Sequence, residues 1–337
     1  MLSVVIPLLN EAKVVSTLYQ RLHDMAEHLP VPAEFIFVDD GSVDETVAFL
    51  RQFRERDTRV KIICMSRNFG HQAAITCGIE HACGEAVVLM DGDLQDPPEL
   101  IPDLVAKWQE GFDVVYAVRR VRRGENPLRL ALMKIFYRVI RSLSDIDIPY
   151  NAGHFRLLSH AVAKQIRAMP ERNRFIAGMT IWVGFRQTSV EYDRDPRFAG
   201  ATKMSMWRLM RFAIDGITSF SDTPLRFATY LGLLVSSVSA LYLLRAVYQK
   251  FFTTIPPFGY TSLFVAVMFI GGVQMIILGV IGEYLARIYQ ETKQRPIYIA
   301  AQKFGFERER TLDREFPPRN EALFREQQGV ASGDGEY

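Results

Sequence analysis

The sequence predicts a mostly parallel, doubly wound α/β sheet followed by two helices that cross a membrane. Three observations support this fold class. Short β-rich segments alternate with segments of helical period over residues 2–118, polar clusters follow the strand-like segments, and two uncharged apolar stretches of near-membrane length come later. Continuous apolar strands with helices between them are typical of a parallel sheet that is covered on both faces.

Five segments have the β-branched and apolar composition of buried strands. They are residues 2–8, 33–39, 60–65, 86–90 and 113–118. Apolar residues recur at helical spacing between the first two strands: Val15, Leu18, Leu22, Met25 and Leu29. No Gly-x-Gly-x-x-Gly motif follows the first strand, and this argues against a dinucleotide-binding dehydrogenase.

Polar clusters follow four of the predicted strands, at the sheet edge where ligands bind in parallel α/β folds. They are Asn10-Glu11, Asp39-Asp40-Gly41-Ser42, Arg67-Asn68-Phe69-Gly70-His71 and Asp91-Gly92-Asp93. Acidic groups after the second strand suit a nucleotide's base or ribose. Those after the fourth strand suit its metal-bound diphosphate.

The acidic turn after the fourth strand is the most informative stretch. Because only Gly92 separates Asp91 from Asp93, the two carboxylates can converge on one point, where a cation must offset their repulsion. This all-oxygen set favours Mg²⁺ or Mn²⁺ over structural zinc. A solvated acidic turn is the alternative for so short a motif. Asp96, just before Pro97, is also consistent with a helix cap.

Charge and hydropathy point to a membrane and not to nucleic acid. The formal net charge is only +2, and residues 227–244 and 258–282 carry no charge at all. Each stretch is close to the roughly 20 residues that span a bilayer, with buried core helices as the alternative. No signal peptide precedes the first strand, and basic residues flank the two stretches on their outer sides. We therefore expect both termini and the N-terminal domain to be cytosolic.

Two further segments, residues 127–143 and 204–220, mix basic and apolar residues. We interpret both as helices lying on an anionic membrane surface, with ordinary packing helices as the alternative. The cysteines Cys64, Cys77 and Cys83 have no metal-ligand spacing. We expect them to be small buried hydrophobes in a reducing compartment.

Six motifs occur in a characteristic order. They are Val4-Val5-Ile6-Pro7 with Asn10-Glu11, VDDGSVD at 38–44, SRNFGH at 66–71, MDGDLQDPP at 90–98, NAGHFRL at 151–157, and Gly282-Glu283-Tyr284 running on to Arg295-Pro296-Ile297-Tyr298. Together with the two predicted spans, they resemble glycosyltransferase family 2. Within that family the chain is similar to the polyprenyl-phosphate glycosyltransferases, which include dolichyl-phosphate mannose synthases and bactoprenol glucosyltransferases.

The resemblance implies an integral protein of the inner or plasma membrane with a GT-A fold. The segments would be a GT-A domain at 1–203, interfacial amphipathic helices at 204–225, membrane helices at 226–248 and 259–284, and a cytosolic tail at 285–337. The implied reaction is an inverting transfer of one sugar from a nucleotide sugar, with UDP-glucose favoured, to undecaprenyl or another polyprenyl phosphate. Mg²⁺ or Mn²⁺ is the implied cofactor, and a homo-oligomer is compatible with this scheme.

Site residues follow from the same resemblance, position by position. Contacts to the nucleotide sugar would come from Pro7, Asn10, Glu11, Asp39, Asp40, Arg67, His71, Asp91 and Gly92. The metal would be held by Asp91, Asp93 and Gln95. The catalytic set would be Asp93, His154, Arg119 and Lys203, of which Arg119 and Lys203 would meet phosphates.

His154 departs from the family pattern, which more often has an acid within Ala-Gly-Asp-Phe-Arg-Leu. Many inverting transferases use an acid to deprotonate the acceptor, but a phosphate monoester with a second pKa of about 6 is already largely dianionic at neutral pH. His154 would then contact the acceptor phosphate or the donor. A structural histidine is the alternative for His154 and also for His71.

Two other functions stay open at this stage. A processive polysaccharide synthase would be expected to have more spans and a Gln-x-x-Arg-Trp motif, which this sequence lacks. A transporter or scaffold for lipid-linked sugars would need a polar path, and the two uncharged stretches offer none.

Overall fold

The computed structural model describes residues 1–119, 152–192, 223–252 and 260–306. Several sequence predictions concern other parts of the chain. Lys203, the basic and apolar segments 127–143 and 204–220, the loop between the two predicted spans, and the tail beyond residue 306 all lie outside the described residues.

The centre of the protein is an eight-stranded sheet. Its strands are β1 (Leu2–Leu8), β2 (Ala33–Asp39), β3 (Val60–Met65), β4 (Ala86–Leu89), β5 (Val114–Arg119), β6 (Ala152–Ser159), β7 (Gln187–Tyr192) and β8 (Ala300–Phe304). They lie in the order β7-β5-β6-β4-β1-β2-β3-β8. The pairs β4–β1, β1–β2, β2–β3 and β5–β7 are parallel, whereas β6 and β8 run antiparallel to their neighbours.

The predicted mostly parallel sheet is confirmed. The first three strands have the predicted bounds, β4 ends one residue before the predicted position, and β5 is shifted by one residue. Every residue of β1 and β2 is buried, because helices cover both faces of the sheet. Such strands read as continuous apolar runs, and that is the pattern that the sequence shows.

Three strands are not predicted from the sequence. The segment that forms β6 carries His154 and Arg156, and β7 is half polar, so neither has the composition of a buried strand. β8 follows the second predicted span, within the segment expected to be a cytosolic tail, and pairs with β3. These strands owe their pairing to partners that are distant along the chain.

Eight α-helices are described. They are α1 (Val15–Glu27), α2 (Thr46–Arg56), α3 (His71–His81), α4 (Ile101–Gln109), α5 (His160–Ala168), α6 (Ile176–Trp182), α7 (Thr223–Phe252) and α8 (Tyr260–Thr292). The predicted apolar face of α1 is buried. α3 lies directly on β1, since a Cβ atom at Gly78 would be 2.1 Å from Val5 Cγ1. Cys64 and Cys77 are buried as expected, but Cys83 is exposed, so that expectation was wrong for one of the three thiols.

The helices α7 and α8 are long and apolar enough to cross a membrane. The apolar stretches Leu225–Tyr242 and Ala266–Thr292 have mean hydropathies of 1.3 and 1.9, and none of either stretch is buried. Large side chains such as Leu233, Val238 and Met275 are well over half exposed. A core helix of a globular domain would bury such a surface.

A buried carboxylate connects three segments of the sheet. Glu34 on β2 forms an ion pair of 2.6 Å with Lys61 on β3 and accepts hydrogen bonds from the Ser3 hydroxyl and the Cys83 backbone N–H. Burial alone would raise the pKa of Glu34, but these partners hold it below its ordinary value. Glu34 therefore stabilises the fold only while it is ionised.

We expect Glu34→Gln to lower the free energy of unfolding by about 2–3 kcal/mol, because Lys61 loses its partner in a mostly buried position. The folded pKa lies below the unfolded one, so the difference from wild type should be full at pH 7 and shrink as the pH falls below about 4. Thermal unfolding of both proteins in detergent between pH 3 and pH 8 measures this difference in stability. The exposed Glu55→Gln is the control, and equal melting temperatures for both variants would contradict the prediction.

Candidate active site

A polar cavity of about 430 Å³ lies at the carboxyl ends of β1, β2 and β4 and beside the start of α3. It brings together eight residues that the sequence predicts for the site: Pro7, Glu11, Asp40, His71, Asp91, Gly92, Asp93 and His154. Leu8, Leu9, Asn68, Gly70 and Ala74 complete its lining. Of the other predicted site residues, Asn10, Asp39, Arg67, Gln95 and Arg119 do not line it.

The loops after β1 and β2 hold each other in place. The Asn10 backbone N–H donates to Ser42 Oγ at 2.8 Å, and the Val43 N–H donates to Asn10 Oδ1 at 2.9 Å. Asn10 has a φ of 56°, which an asparagine tolerates better than most residues do. The Glu11 N–H donates to Thr46 Oγ1 at 2.9 Å. Asn10 thus shapes the rim from outside the cavity, while Glu11 lines it.

The two acids after β2 have different surroundings. Asp39 is buried, and its carboxylate accepts from the Ser42 N–H within its own turn. Asp40 reaches across to the loop before α3, where it accepts from the Phe69 and Gly70 N–H groups at 2.7 and 3.0 Å. Burial raises the pKa of both carboxyl groups. Asp40 therefore positions the loop that brings His71 to the cavity.

Arg67 belongs to the same loop but points along its surface. Its guanidinium lies 4.0 Å from the centre of the Phe69 ring and donates to the Asn68 carbonyl. The side chain is exposed.

The acidic turn after β4 is pressed against the end of β1. A Cβ atom at Gly92 would lie 2.3 Å from Leu8 Cδ2 and 3.1 Å from the Pro7 carbonyl oxygen, so a side chain there would push the two segments apart. Asp93 Oδ1 accepts from the Gln95 N–H at 3.2 Å, which closes the turn. Gln95 itself is buried.

Asp91 and His71 form the charged contact at the centre of the cavity. His71 Nε2 lies 3.2 Å from Asp91 Oδ1. Burial would raise the pKa of Asp91, but His71, with smaller contributions from the charges of His154 and Arg119, lowers it to about 2. The pKa of His71 is raised, because its carboxylate neighbours outweigh its partial burial. Asp91 is therefore ionised at neutral pH.

His154 comes from β6 and packs against His71, with 4.8 Å between the ring centres in an edge-on arrangement. Burial, aided by the charges of neighbouring basic groups, lowers the pKa of His154 to about 4. The ring is neutral at physiological pH.

Arg156, two residues along β6, is fully buried and holds the strand backbone near His154. Its guanidinium donates to the Gly153 carbonyl and to Thr180 Oγ1, each at 2.5 Å, and lies 5.2 Å from the centre of the Tyr116 ring. The sequence offers one signal for this role, an arginine two positions from a motif histidine in an otherwise apolar run.

Arg119 lies behind the cavity at the end of β5. Its Nε donates to the Tyr192 hydroxyl at 3.0 Å, and its Nη2 lies 3.5 Å from Asp96 Oδ1. Tyr192 also donates to Asp96, which is fully buried. A Cβ atom at Gly153 would lie 2.8 Å from Arg119 Nη2, so glycine gives the guanidinium room. Asp96 therefore serves as a buried partner of β5 and β7.

The turn has the chemistry of a divalent-cation site that is completed by substrate. Asp91 Oδ1 is buried and accepts no hydrogen bond of good geometry from the described residues, although His71 faces it. No group of three or more His, Cys, Asp or Glu side chains in the described part of the chain is arranged to hold a metal. Mg²⁺ and Mn²⁺ need only one or two carboxylates, because waters and substrate phosphates fill the other positions. Asp91 and Asp93 fit that requirement.

A mostly parallel sheet with an acidic turn at the end of its central strand and a polar cavity above it is the architecture of GT-A glycosyltransferases. Residues 3–167 match the model for glycosyl transferase family 2, and residues 223–288 match that for the GtrB C-terminal hairpin. The protein belongs to glycosyltransferase family 2 and is a glycosyltransferase.

Relatives match over most of their length. The uncharacterized glycosyltransferase YkcC of Bacillus subtilis is 46% identical over 91% of this chain and 95% of its own. The bactoprenol glucosyl transferase of Shigella phage SfV is 42% identical over 88% of this chain and 97% of its own. Among solved structures, the mannosyltransferase PcManGT from Pyrobaculum calidifontis aligns over 82% of this chain and 86% of its own chain, with 14% sequence identity and a TM-score of 0.44.

We expect Gly92→Ala to reduce sugar transfer about 10- to 100-fold, since the added methyl group displaces the acidic turn from the end of β1 by a fraction of an ångström or more. Radiolabel transfer from the nucleotide sugar that the wild type uses measures the effect. Gly232→Ala is the matched control, because nothing lies within 4 Å of a Cβ atom there. Transfer within twofold of wild type for Gly92→Ala would contradict the proposed contact.

Proposed function

We propose that the protein transfers a single sugar, with inversion, from a nucleotide sugar to a polyprenyl phosphate at the cytosolic face of a membrane. The observation that carries this proposal is the cavity in which Asp91 and Asp93 meet Pro7, Glu11 and Asp40 at the strand ends. Relatives named bactoprenol glucosyl transferases support the acceptor class and favour UDP-glucose as the donor.

The donor would lie across the cavity from β2 to β4. Glu11 and Asp40 line the side where the nucleoside would bind, and the Pro7 end of β1 forms the floor beside Gly92. Asp39 and Asn10 would support this side by holding the loops. The diphosphate would face Asp91 and Asp93.

Asp91 and Asp93 would hold Mg²⁺ or Mn²⁺, with Gln95 fixing Asp93 through its backbone N–H. When bound, the ion would supply positive charge at the oxygens of the departing diphosphate, where charge develops in the transition state. His71 keeps Asp91 oriented and ionised.

The transfer itself needs no proton acceptor. An oxygen of the acceptor phosphate attacks the anomeric carbon, a new C–O bond forms on one face of the sugar, and the bond to the nucleoside diphosphate breaks on the other with its electron pair. A phosphate monoester is already largely dianionic at neutral pH. The neutral ring of His154 would therefore contact phosphate or sugar and position it, and Arg119 would contribute charge from behind the site.

The helices α7 and α8 would anchor the protein in the membrane. Arg226 lies at the start of the first apolar stretch, Arg287 lies in the last part of the second, and Lys293 and Arg295 lie beyond it. This distribution supports cytosolic termini and a cytosolic catalytic domain. The exposed apolar surfaces of both helices would face lipid or, in a homo-oligomer, a second copy.

The test is to incubate the full-length protein in membranes with a panel of radiolabelled UDP- and GDP-sugars and to extract the lipid. We expect label from one donor, UDP-glucose, in a lipid of a single added sugar. Label in long polymer would favour a processive synthase. Absence of lipid label with every donor would overturn the transferase proposal in favour of a transporter or scaffold.

We expect Asp93→Asn to lower the metal affinity and to lower turnover by about 100-fold or more, because the substitution removes one of two anionic ligands. The fold should persist, because asparagine has the same shape as aspartate. Titration of Mn²⁺ against activity and against thermal unfolding measures both effects. The exposed Asp103→Asn is the control. Full turnover of Asp93→Asn at saturating metal would show that this carboxylate is no ligand.

A further inference from the structure

A second, larger cavity of about 650 Å³ opens beside the first. The two share Gly70, His71 and His154 as a common wall. The rest of the second lining comes from Phe69, Gln72 and Ala73 at the start of α3, from the loop Arg172-Asn173-Arg174, and from Gln290, Lys293, Arg295, Pro296 and Ile297 at and beyond the end of α8.

The two cavities have opposite charge. The lining of the first contains four carboxylates, those of Glu11, Asp40, Asp91 and Asp93, and no lysine or arginine. The lining of the second contains Arg172, Arg174, Lys293 and Arg295 and no Asp or Glu. The larger cavity, which we call the basic cavity, is therefore suited to an anion.

The cations of the basic cavity are not equally available. Arg174 is buried and donates to the carbonyls of Ile166, Met169 and Glu171, so it shapes the loop. Arg172 Nη1, in contrast, is buried and has no hydrogen-bond partner among the described residues. A buried donor without an acceptor is costly, and an anionic ligand would satisfy it. Lys293 and Arg295 are exposed, and the Lys293 ammonium lies 4.0 Å from the centre of the Tyr289 ring.

The start of α3 adds to this positive character. Gly70 precedes the helix with a φ of +99° and has no side chain to cap it, while the Asp40 carboxylate accepts from the Gly70 N–H at 3.0 Å. The first N–H groups of a helix carry partial positive charge and favour anions.

The location of the basic cavity indicates the source of the anion. Its lining includes Gln290 within α8 and Lys293 just beyond it, and the apolar stretch of this helix runs from Ala266 to Thr292. The Glu291 carboxylate accepts from the Arg172 and Asn173 N–H groups at 2.9 and 3.3 Å, so the helix end is tied to the loop that supplies Arg172. An amphiphile with its chain in the bilayer would present its head group at this level.

We propose that the basic cavity binds the phosphate head of the lipid acceptor, with Arg172, Lys293 and Arg295 as its ligands, and presents it to the donor beside His71 and His154, which line both cavities. This assignment rests on the proposed function. It places the acceptor at the junction between α8 and the catalytic domain, whereas the sequence predicts membrane-surface helices at 127–143 and 204–220, which lie outside the described residues.

Binding and turnover test this site separately. Full-length protein in lipid nanodiscs would be titrated with undecaprenyl phosphate, with undecaprenol and with inorganic phosphate, without any nucleotide sugar. We expect Arg172→Gln, Lys293→Gln and Arg295→Gln each to weaken undecaprenyl phosphate binding about tenfold, and the triple variant at least 100-fold. The KM for the lipid should rise likewise, with nucleotide-sugar binding within twofold of wild type.

Matched controls separate charge from folding. Lys107→Gln and Lys164→Gln remove a lysine that lies outside both cavities and should leave lipid binding unchanged. Arg172→Lys keeps a positive charge and should recover part of the affinity that Arg172→Gln loses. If Arg172→Lys recovers none of the lipid affinity and melts at the same low temperature as Arg172→Gln, Arg172 is only structural. That result would overturn its assignment as a phosphate ligand.

The remaining outcomes are also decisive. Undecaprenyl phosphate binding that survives the triple variant, or nucleotide-sugar binding that falls in parallel, would overturn the assignment. If inorganic phosphate binds as tightly as undecaprenyl phosphate, the cavity is a site for free phosphate. If undecaprenol binds as tightly, the site is purely apolar. Either result would overturn the assignment. If undecaprenyl phosphate binds through the three cations but the wild type transfers no sugar to it, the site stands and the proposed function fails.

Discussion

The buried, ionised carboxylate of Asp91 at the end of a buried strand is the constraint on which the rest of the site depends. Gly92 lets the turn approach β1, the Gln95 N–H holds Asp93, and His71 faces Asp91 at 3.2 Å. Asp91 Oδ1 still accepts no hydrogen bond of good geometry from the described residues. The turn therefore has the chemistry of a divalent-cation site, and a cation with substrate phosphates would complete it.

This constraint explains why the surroundings divide into an acidic and a basic half. Carboxylates that attract a metal would repel the phosphate of an acceptor, so a second anionic substrate needs cations of its own. The basic cavity supplies them on the far side of His71 and His154. Of the two histidines that line both cavities, His154 is neutral and His71 faces the Asp91 carboxylate at 3.2 Å. Two anionic substrates can thus approach each other with their charges separately offset.

The same geometry links catalysis to the membrane. After α8 the chain returns to the sheet, where β8 pairs with β3, and Tyr298 donates to Glu80 at the end of α3. With Glu291 holding the Arg172 loop, the end of α8 is attached to the helix that carries His71. The end of α8 is therefore tied to the catalytic domain beside the site, as transfer to a membrane-embedded acceptor would require.

The sequence by itself determined the five strands of the first half, the apolar helices, and most of the lining of the acidic cavity, because continuous apolar strands and the polar residues that end them are local signals. Only the tertiary structure decided the places of β6, β7 and β8, since their half-polar segments are strands only when paired with distant partners. Contacts between distant segments also decided that Asp40 lines the cavity and that Asp39 and Arg119 do not. Arg172 and Tyr192 carry no local signal, because their roles arise from contacts with residues about 100 positions away.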